Sequence, residues 1–183
     1  MKRVSVVGTT GSGKTTLARA LAAVLGSRHV ELDALFWEPH WKMADLPVFR
    51  SRVASAVAGD AWVIDGGYSA VRDLIWPRAD TVVWLDYPLT VILPRLVRRI
   101  VARVQDKAEL WPGTGNRETI RNAIFNRDPL VWFAIRTHRS RRRRIREMLE
   151  RPEYAHLQLH RFTRPAEAER WLAAQRAPAA PRI

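Results

Sequence analysis

Apolar positions along the chain switch repeatedly between short continuous runs and a spacing of three to four residues, the pattern of strands alternating with helices. Arg3 to Val7 is a short, β-branched run that predicts a buried strand. Leu17, Leu21, Val24 and Leu25 then recur at helical spacing until Gly26, a natural helix stop. His29 to Asp33 predicts a second strand, and Phe49, Val53, Ala56 and Val57 mark one face of a helix over 45–58 that Gly59 ends. Trp62 to Asp65, Thr81 to Asp86 and Leu157 to Phe162 predict three further strands. A short helix from Ala70 to Trp76 follows a Ser69 cap and closes at Pro77. Leu89 to Val104 predicts a helix with the stripe Ile92, Leu96, Ile100 and Val104, which places Pro94 in or near its first turn. Gln105 to Gly115 loses the periodicity. Asn116 then predicts the cap of a helix bearing Arg117, Arg121 and Arg127, interrupted at Asp128-Pro129, and Leu130 to Leu149 reads as another. Pro165 opens a closing amphipathic helix through Trp171 and Leu172, and residues 177–183 form a Pro/Ala-rich tail expected to fray. With no repeat and no long linker, 1–176 read as one α/β domain.

The junction of the first strand and helix carries the most specific chemistry. Gly8-Thr9-Thr10-Gly11-Ser12-Gly13-Lys14-Thr15 fits G-x-x-x-x-G-K-[ST] at every defined position. Glycines at 8, 11 and 13 let the backbone wrap an anion in conformations a side chain would forbid. The loop amides and the positive end of the helix point at phosphates, Lys14 adds a charge at the β/γ-phosphates, and the Thr15 hydroxyl is placed to ligate Mg²⁺.

Composition adds bounds. At 183 residues the chain can bury a substantial core, and the absence of cysteine excludes disulfides and thiolate metal sites. No apolar run reaches ~18 residues, so no membrane span is expected. Residues 1–7 run straight into the glycine loop, leaving no room for a signal peptide and predicting a cytoplasmic protein. The net charge of +13 comes from 31 basic residues, of which only Lys2, Lys14, Lys42 and Lys107 are lysines. Arginine suits bidentate grip on phosphate, and the excess equally fits a compositional bias.

Three acids lie at predicted strand ends, where open parallel sheets place ligands. Asp33 reads either as the group that orients or deprotonates an acceptor hydroxyl or as a turn residue. Asp65, followed by Gly66-Gly67, and Asp86, followed by Tyr87-Pro88, compete for the carboxylate that holds Mg²⁺, and the paired glycines favour Asp65. Phe36-Trp37-Glu38-Pro39-His40-Trp41 reads as an aromatic wall against an acceptor ring or as a satellite core. Arg95, Arg99 and Arg103, with Arg98 alongside, repeat on one helix face, where like charges repel unless an anion neutralises them. Trp111-Pro112-Gly113-Thr114-Gly115 gives the next segment the hinges of a lid over the phosphates, spanning about 104–118. Seven arginines between Arg136 and Arg146 fit a nucleic-acid or acidic-protein surface, but they lack the interleaved aromatics of a stacking platform, which favours a solvated face.

The order of elements resembles the P-loop kinases of small molecules, the broad group of adenylate, shikimate and gluconate kinases. The chain is similar over nearly its whole length to bacterial proteins labelled adenylate-kinase-like or DNA-topology-modulation-related. That likeness is carried by Gly8 to Thr16, Leu32-Asp33 with Trp37 and Trp41, Trp62 to Arg72, Thr81 to Pro88, Asn116-Arg117-Glu118 and Arg136-Thr137-His138-Arg139. It implies a three-layer P-loop NTPase fold with a five-stranded parallel sheet in the order 2-3-1-4-5 and a short, arginine-bearing lid. It also implies ATP held by Gly8, Thr9, Thr10, Gly11, Ser12, Gly13, Lys14, Thr15 and Thr16, with Mg²⁺ at Thr15 and Asp65. By analogy with shikimate kinase, Asp33 sits where an acceptor-binding acid would lie, and Gly66-Gly67 matches a glycine-rich acceptor loop. The Phe-Pro-Arg that serves AMP in adenylate kinase is absent after Asp65-Gly66, and Arg72 arrives three residues late.

The expected activity is transfer of the γ-phosphoryl group of ATP to a nucleotide or small-molecule acceptor. Lys14, Asp33, Arg95, Arg99 and Arg117 are its candidate catalytic residues. A nucleotide-regulated nucleic-acid-binding protein using the run 136–146, or an NTPase switch without acceptor, are the alternatives.

Overall fold

The computed structural model describes residues 1–119 and 130–176. Its main sheet comprises β1 (Arg3–Gly8), β2 (Arg28–Glu31), β3 (Trp62–Asp65), β4 (Thr81–Leu85) and β5 (Gln158–Phe162). All pairings are parallel, and the spatial order β2-β3-β1-β4-β5 is the 2-3-1-4-5 expected from sequence. The helices are α1 (Lys14–Leu25), α2 (Leu32–Phe36), α3 (Leu46–Ala56), α4 (Arg72–Ile75), α5 (Leu89–Asp106), α6 (Leu130–Leu149) and α7 (Pro165–Arg176). Alternation along each strand divides the core in two. Val4 and Val6 turn towards α1 with Val63, Val83 and Leu85, joined by Ile92 and Ala168. Val7 turns the other way with Val30, Trp62, Ile64, Val82 and Trp84, onto Phe49, Val53, Ile75 and Ile145 of α3, α4 and α6. Burial on both faces explains the near-continuous apolar strands. No helix among the described residues is long and apolar enough to cross a membrane.

Register sets the stage for the site. Val6 of β1 lies opposite Asp65 of β3 and Val83 of β4, and Gly8 lies opposite Leu85. The carboxyl ends of the three central strands therefore open side by side, where β1 separates connections that run to opposite faces.

Several boundaries differ from the sequence expectation. β2 stops at Glu31, and Leu32-Asp33-Ala34-Leu35-Phe36 turns into α2, because this stretch lacks β-branched residues and contains good helix formers. Asp33 thus sits in the first turn of a short helix and not at a strand end. Pro94 lies in the second turn of α5, past the position where its missing amide costs nothing, so the Thr90 carbonyl loses its intrahelical donor. Ser69 makes no capping hydrogen bond; a 3-10 turn over Ser69–Val71 leads directly into α4. The aromatic segment divides its roles. Phe36 packs on Phe49 and Tyr68 in the core, whereas Trp37 meets Trp41, and Trp41 meets Trp111 edge-on at 5.9 Å. A two-residue antiparallel pairing of Trp37–Glu38 with Lys42–Met43 shapes this loop.

The segment after α5 folds back on itself. Glu109 bridges Arg117, and the Leu110 amide donates to the Asn116 carbonyl at 2.9 Å. Asn116 does not act as a helix cap: its Oδ1 accepts from the Trp41 amide and its Nδ2 donates to the Glu38 carbonyl, both at 2.9 Å. The expected helix carrying Arg121 and Arg127, and the tail 177–183, lie outside the described residues.

Candidate active site

The glycine loop leaves β1 with Gly11 and Gly13 at φ +86° and +92°, conformations that favour glycine, before α1 begins at Lys14. It has no room to bulge: a Cβ at Gly11 would lie 2.9 Å from the Cβ of Leu96 on α5. The Ser12 amide donates to the Thr9 carbonyl at 3.1 Å, and the buried Ser12 hydroxyl has no hydrogen-bond partner. Half-buried Lys14 folds back to donate to the Thr9 carbonyl at 3.0 Å. Desolvation by the surrounding chain pulls its pKa from 10.5 down to about 8, against the opposing pull of Asp33 and Asp65. A cation kept in so unfavourable a place, with an orphaned hydroxyl beside it, is what a polyphosphate would satisfy.

Thr15 points its hydroxyl at Asp65, with Oγ1 3.3 Å from Oδ1. Asp65 is only 3% exposed, and its other oxygen meets His29 Nε2 at 2.9 Å. The pair fits a divalent cation, offering a hydroxyl and a buried carboxylate side by side, with further ligands left to phosphate and water. Asp86 is differently placed. Arg161 donates to it from Nη2 at 2.6 Å and Nε at 2.9 Å, and Arg142 Nη2 donates at 3.0 Å, so its charge is already matched.

Asp33 accepts a 2.6 Å hydrogen bond from the Tyr68 hydroxyl, whose pKa burial and this carboxylate push well above the usual phenol range. Glu31 belongs to the same acidic group. Desolvation and then the charges of Asp65 and Asp33 raise its pKa, against a smaller opposing pull from the Trp111 indole. Half-buried Arg99 has its pKa lowered by burial first and Arg103 second, and its charge is felt at Lys14. Arg95 is exposed at the loop mouth, stacked over Tyr87 at 5.7 Å, and its Nη1 would be 3.8 Å from a Cβ at Gly13. Arg117 stands exposed on the Glu109 bridge, where its charge is felt by Glu109.

The fold therefore gathers Lys14, Thr15, Asp33, Asp65, Arg95 and Arg99 around one crevice and leaves Arg117 and Asp86 to other contacts. Sequence reading missed three neighbours. Tyr68 holds Asp33. His138 of α6, buried, brings Nδ1 to 3.2 Å from the Thr9 hydroxyl, and desolvation lowers its pKa. Arg141, whose guanidinium would come within 3.2 Å of a Cβ at Gly67, is felt electrostatically by Lys14 and Tyr68. The arginine run of 136–146 is thus split: Arg141 turns inward, Arg142 pairs with Asp86, and Arg139, Arg143, Arg144 and Arg146 are exposed.

Gly66 seals the floor. Its φ is +140°, and a Cβ there would sit 2.7 Å from both Cβ and Cδ1 of Leu32. Gly66→Ala is expected to lower stability by about 2–3 kcal/mol through overpacking and backbone strain. Denaturant unfolding checks this, and an unchanged midpoint would contradict the close packing of Leu32.

No protein-family model matches the chain. Among solved structures, it superimposes on shikimate kinase from Bacteroides thetaiotaomicron with a TM-score of 0.54 and 19% identity, covering 94% of this chain and 95% of that one. A gluconokinase from Sinorhizobium meliloti 1021 gives a TM-score of 0.50 and 18% identity, covering 95% and 90%. By sequence, the chain is 29% identical over 111 residues to a shikimate kinase of Sulfurihydrogenibium sp. (strain YO3AOP1), covering 52% of this chain and 67% of that protein. It is 27% identical over 100 residues to the uncharacterized protein YqaC of Bacillus subtilis (strain 168), and that match spans 54% of this chain and 56% of YqaC. The fold is that of the P-loop small-molecule kinases.

Proposed function

We propose that the chain moves the γ-phosphoryl group of ATP onto a small-molecule or nucleotide acceptor. The observation that carries this reading is one crevice holding three parts: a phosphate-shaped amide loop with Lys14, the Thr15–Asp65 pair, and the Asp33–Tyr68 pair beside them. The kinase likeness of its structural and sequence relatives supports it.

Loop amides and Lys14 would bind the β/γ-phosphates and orient the terminal phosphorus. Thr15 and Asp65 would hold Mg²⁺, which supplies charge neutralisation on the polyphosphate. His29 fixes the rotamer of Asp65, leaving the Oδ1 side towards Thr15. Asp33, held by the Tyr68 hydroxyl on one oxygen, keeps its second oxygen for an acceptor hydroxyl and its departing proton. Arg99 and Arg95 would stabilise charge on the group in flight, where such catalysis gains most of its energy. Arg117, on the folded-back segment, would reach the phosphates only if that segment moves, which gives the 104–118 lid its proposed purpose.

The test follows phosphate transfer from ATP to panels of nucleosides, nucleotides, sugars and hydroxy acids, with ATP hydrolysis measured in parallel. Asp33→Asn should slow transfer to a hydroxyl acceptor by about 10²–10⁴-fold while background hydrolysis is little changed. Equal losses in both would remove Asp33 from the acceptor side, and no transfer to any class would leave only an NTPase.

A further inference from the structure

The buried face of α6 carries Ala134, His138 and Ile145. Two of these are apolar, and the third is an imidazole only 5% exposed. A polar ring among apolar neighbours costs stability unless a partner meets it, and an alanine or leucine would pack there without that cost. The partner is not a core group. It is the hydroxyl of Thr9, 129 residues away in the chain and itself buried, which shares a hydrogen bond with His138 Nδ1 at 3.2 Å. Burial first, then repulsion from Arg142, lowers the pKa of the ring against the pull of Asp86, so it stands neutral at pH 7.

What Thr9 does within the glycine loop gives this contact its weight. Its carbonyl accepts from two donors, the Ser12 amide at 3.1 Å and the Lys14 ammonium at 3.0 Å. One residue therefore sets both the curl of the loop and the place where its cation rests. Packing fixes the loop on either side of it. A Cβ at Gly8 would lie 2.7 Å from the Leu85 carbonyl oxygen, and one at Gly11 would lie 2.9 Å from the Leu96 Cβ. Thr9 lies between these fixed points, with its side chain held by His138. The reach of His138 is set in turn four residues further along α6, where Arg142 donates to Asp86 at 3.0 Å and ties the helix to the residue after β4.

We infer that His138 is a positioning residue of the phosphate loop: through the Thr9 hydroxyl it holds the loop and Lys14 in the form that receives a polyphosphate. The inference rests on the phosphotransfer reading and gives α6 a part in nucleotide binding that is separate from its arginines. A loop already held in its binding form loses less interaction energy to ordering when the ligand arrives. Loss of the tether should therefore show in affinity and not in the chemical step.

The experiment compares the full-length wild type with His138→Phe, His138→Asn, Thr9→Val and the His138→Phe/Thr9→Val double variant. Each is titrated calorimetrically with a non-hydrolysable ATP analogue and Mg²⁺, and its steady-state ATP turnover is measured. His138→Phe keeps a ring without its nitrogens, and Thr9→Val keeps the side-chain shape without the hydroxyl. Each should weaken the analogue about five- to tenfold and raise the KM for ATP as much, with kcat within about twofold of wild type. The double variant should be no weaker than either single one, because both remove the same hydrogen bond. His138→Asn, whose amide stands where Nδ1 stood, should recover most of the affinity. A role confined to packing gives the reverse order, with phenylalanine tolerated and asparagine harmful, and that order overturns the inference. Additive losses in the double variant overturn it equally. Melting temperatures fix an assay temperature at which every variant is folded. If the wild type itself fails to bind the analogue, the phosphotransfer reading falls and this inference with it. If the wild type binds and His138→Phe binds as tightly, this inference alone falls.

Discussion

Lys14→Ala should lose ATP turnover by at least about three orders of magnitude and yet unfold at no lower a temperature than the wild type. The two halves of this result have one cause. The Lys14 ammonium sits where the surrounding chain disfavours its charge, which is why its pKa falls to about 8. In the unfolded chain the same group titrates near 10.5. Between these values the unfolded state binds more protons than the native one, so the fold gains stability as pH rises from about 8 towards 10.5. Lys14 therefore destabilises the empty fold most below pH 8, where it is charged. Nucleotide binding runs the other way. The loop needs the ammonium against the β/γ-phosphates, so affinity should fall as pH climbs through 8 and the empty loop gives up its proton. Thermal unfolding and nucleotide titration between pH 7 and 9.5, on wild type and variant, measure both slopes. The Lys14-dependent rise in stability should vanish in Lys14→Ala. Wild-type turnover in the variant would remove the phosphate assignment, and a large loss of melting temperature would show Lys14 to be structural.

How much of this was legible in the residue order depends on how local each feature is. The phosphate loop was readable because its glycines, lysine and threonine answer to backbone geometry within eight consecutive positions. Strand order followed from resemblance, and the apolar runs placed each of the five strands of the main sheet within a few residues, but not the short Trp37–Glu38 and Lys42–Met43 pairing. Asp33 was found as a residue and misplaced as an element, because propensity in Leu32 to Phe36 won over continuation of a short strand. Arg141 was hidden by company. A run of arginines has no periodicity of its own, so nothing in charge alone says which one turns inward. The signal lay in the sparse apolar positions: Ala134, His138 and Ile145 are the buried residues of α6, and Arg141 falls on their face while Arg139, Arg143 and Arg146 do not. Asp65 and Asp86 looked alike because each ends an apolar strand. What separates them is non-local. β5 pairs with β4 so that Trp84 faces Arg161, a partner from far along the chain that the residues around Asp86 do not announce.

That distinction can be measured. Asp86→Ala is expected to lower stability by about 3 kcal/mol, near the lower end for breaking a buried ion pair, because both arginines are partly exposed and can reach water. For a chain of this size the melting temperature should drop by about 6–12 °C. The carboxylate is 2% exposed, and its amide donates to the Phe162 carbonyl at 2.9 Å, so the ion pairs join the ends of β4 and β5 to α6 through Arg142. Arg161 adds a stack over Trp84 at 4.8 Å that anchors the same corner. Four residues before Arg142, on the same helix, His138 reaches the Thr9 hydroxyl of the phosphate loop. Loosening α6 should therefore raise the KM for ATP modestly without changing the Mg²⁺ concentration needed for half-maximal turnover. Asp65→Asn should do the opposite. It keeps the shape of the side chain, so the fold suffers less, but the Mg²⁺ requirement should rise about 10–100-fold. Differential scanning calorimetry and Mg²⁺ titrations of turnover at a temperature where both variants are folded separate the two carboxylates. If Asp86→Ala shifts the Mg²⁺ requirement and Asp65→Asn does not, the roles are exchanged, and the cation belongs between β4 and the loop.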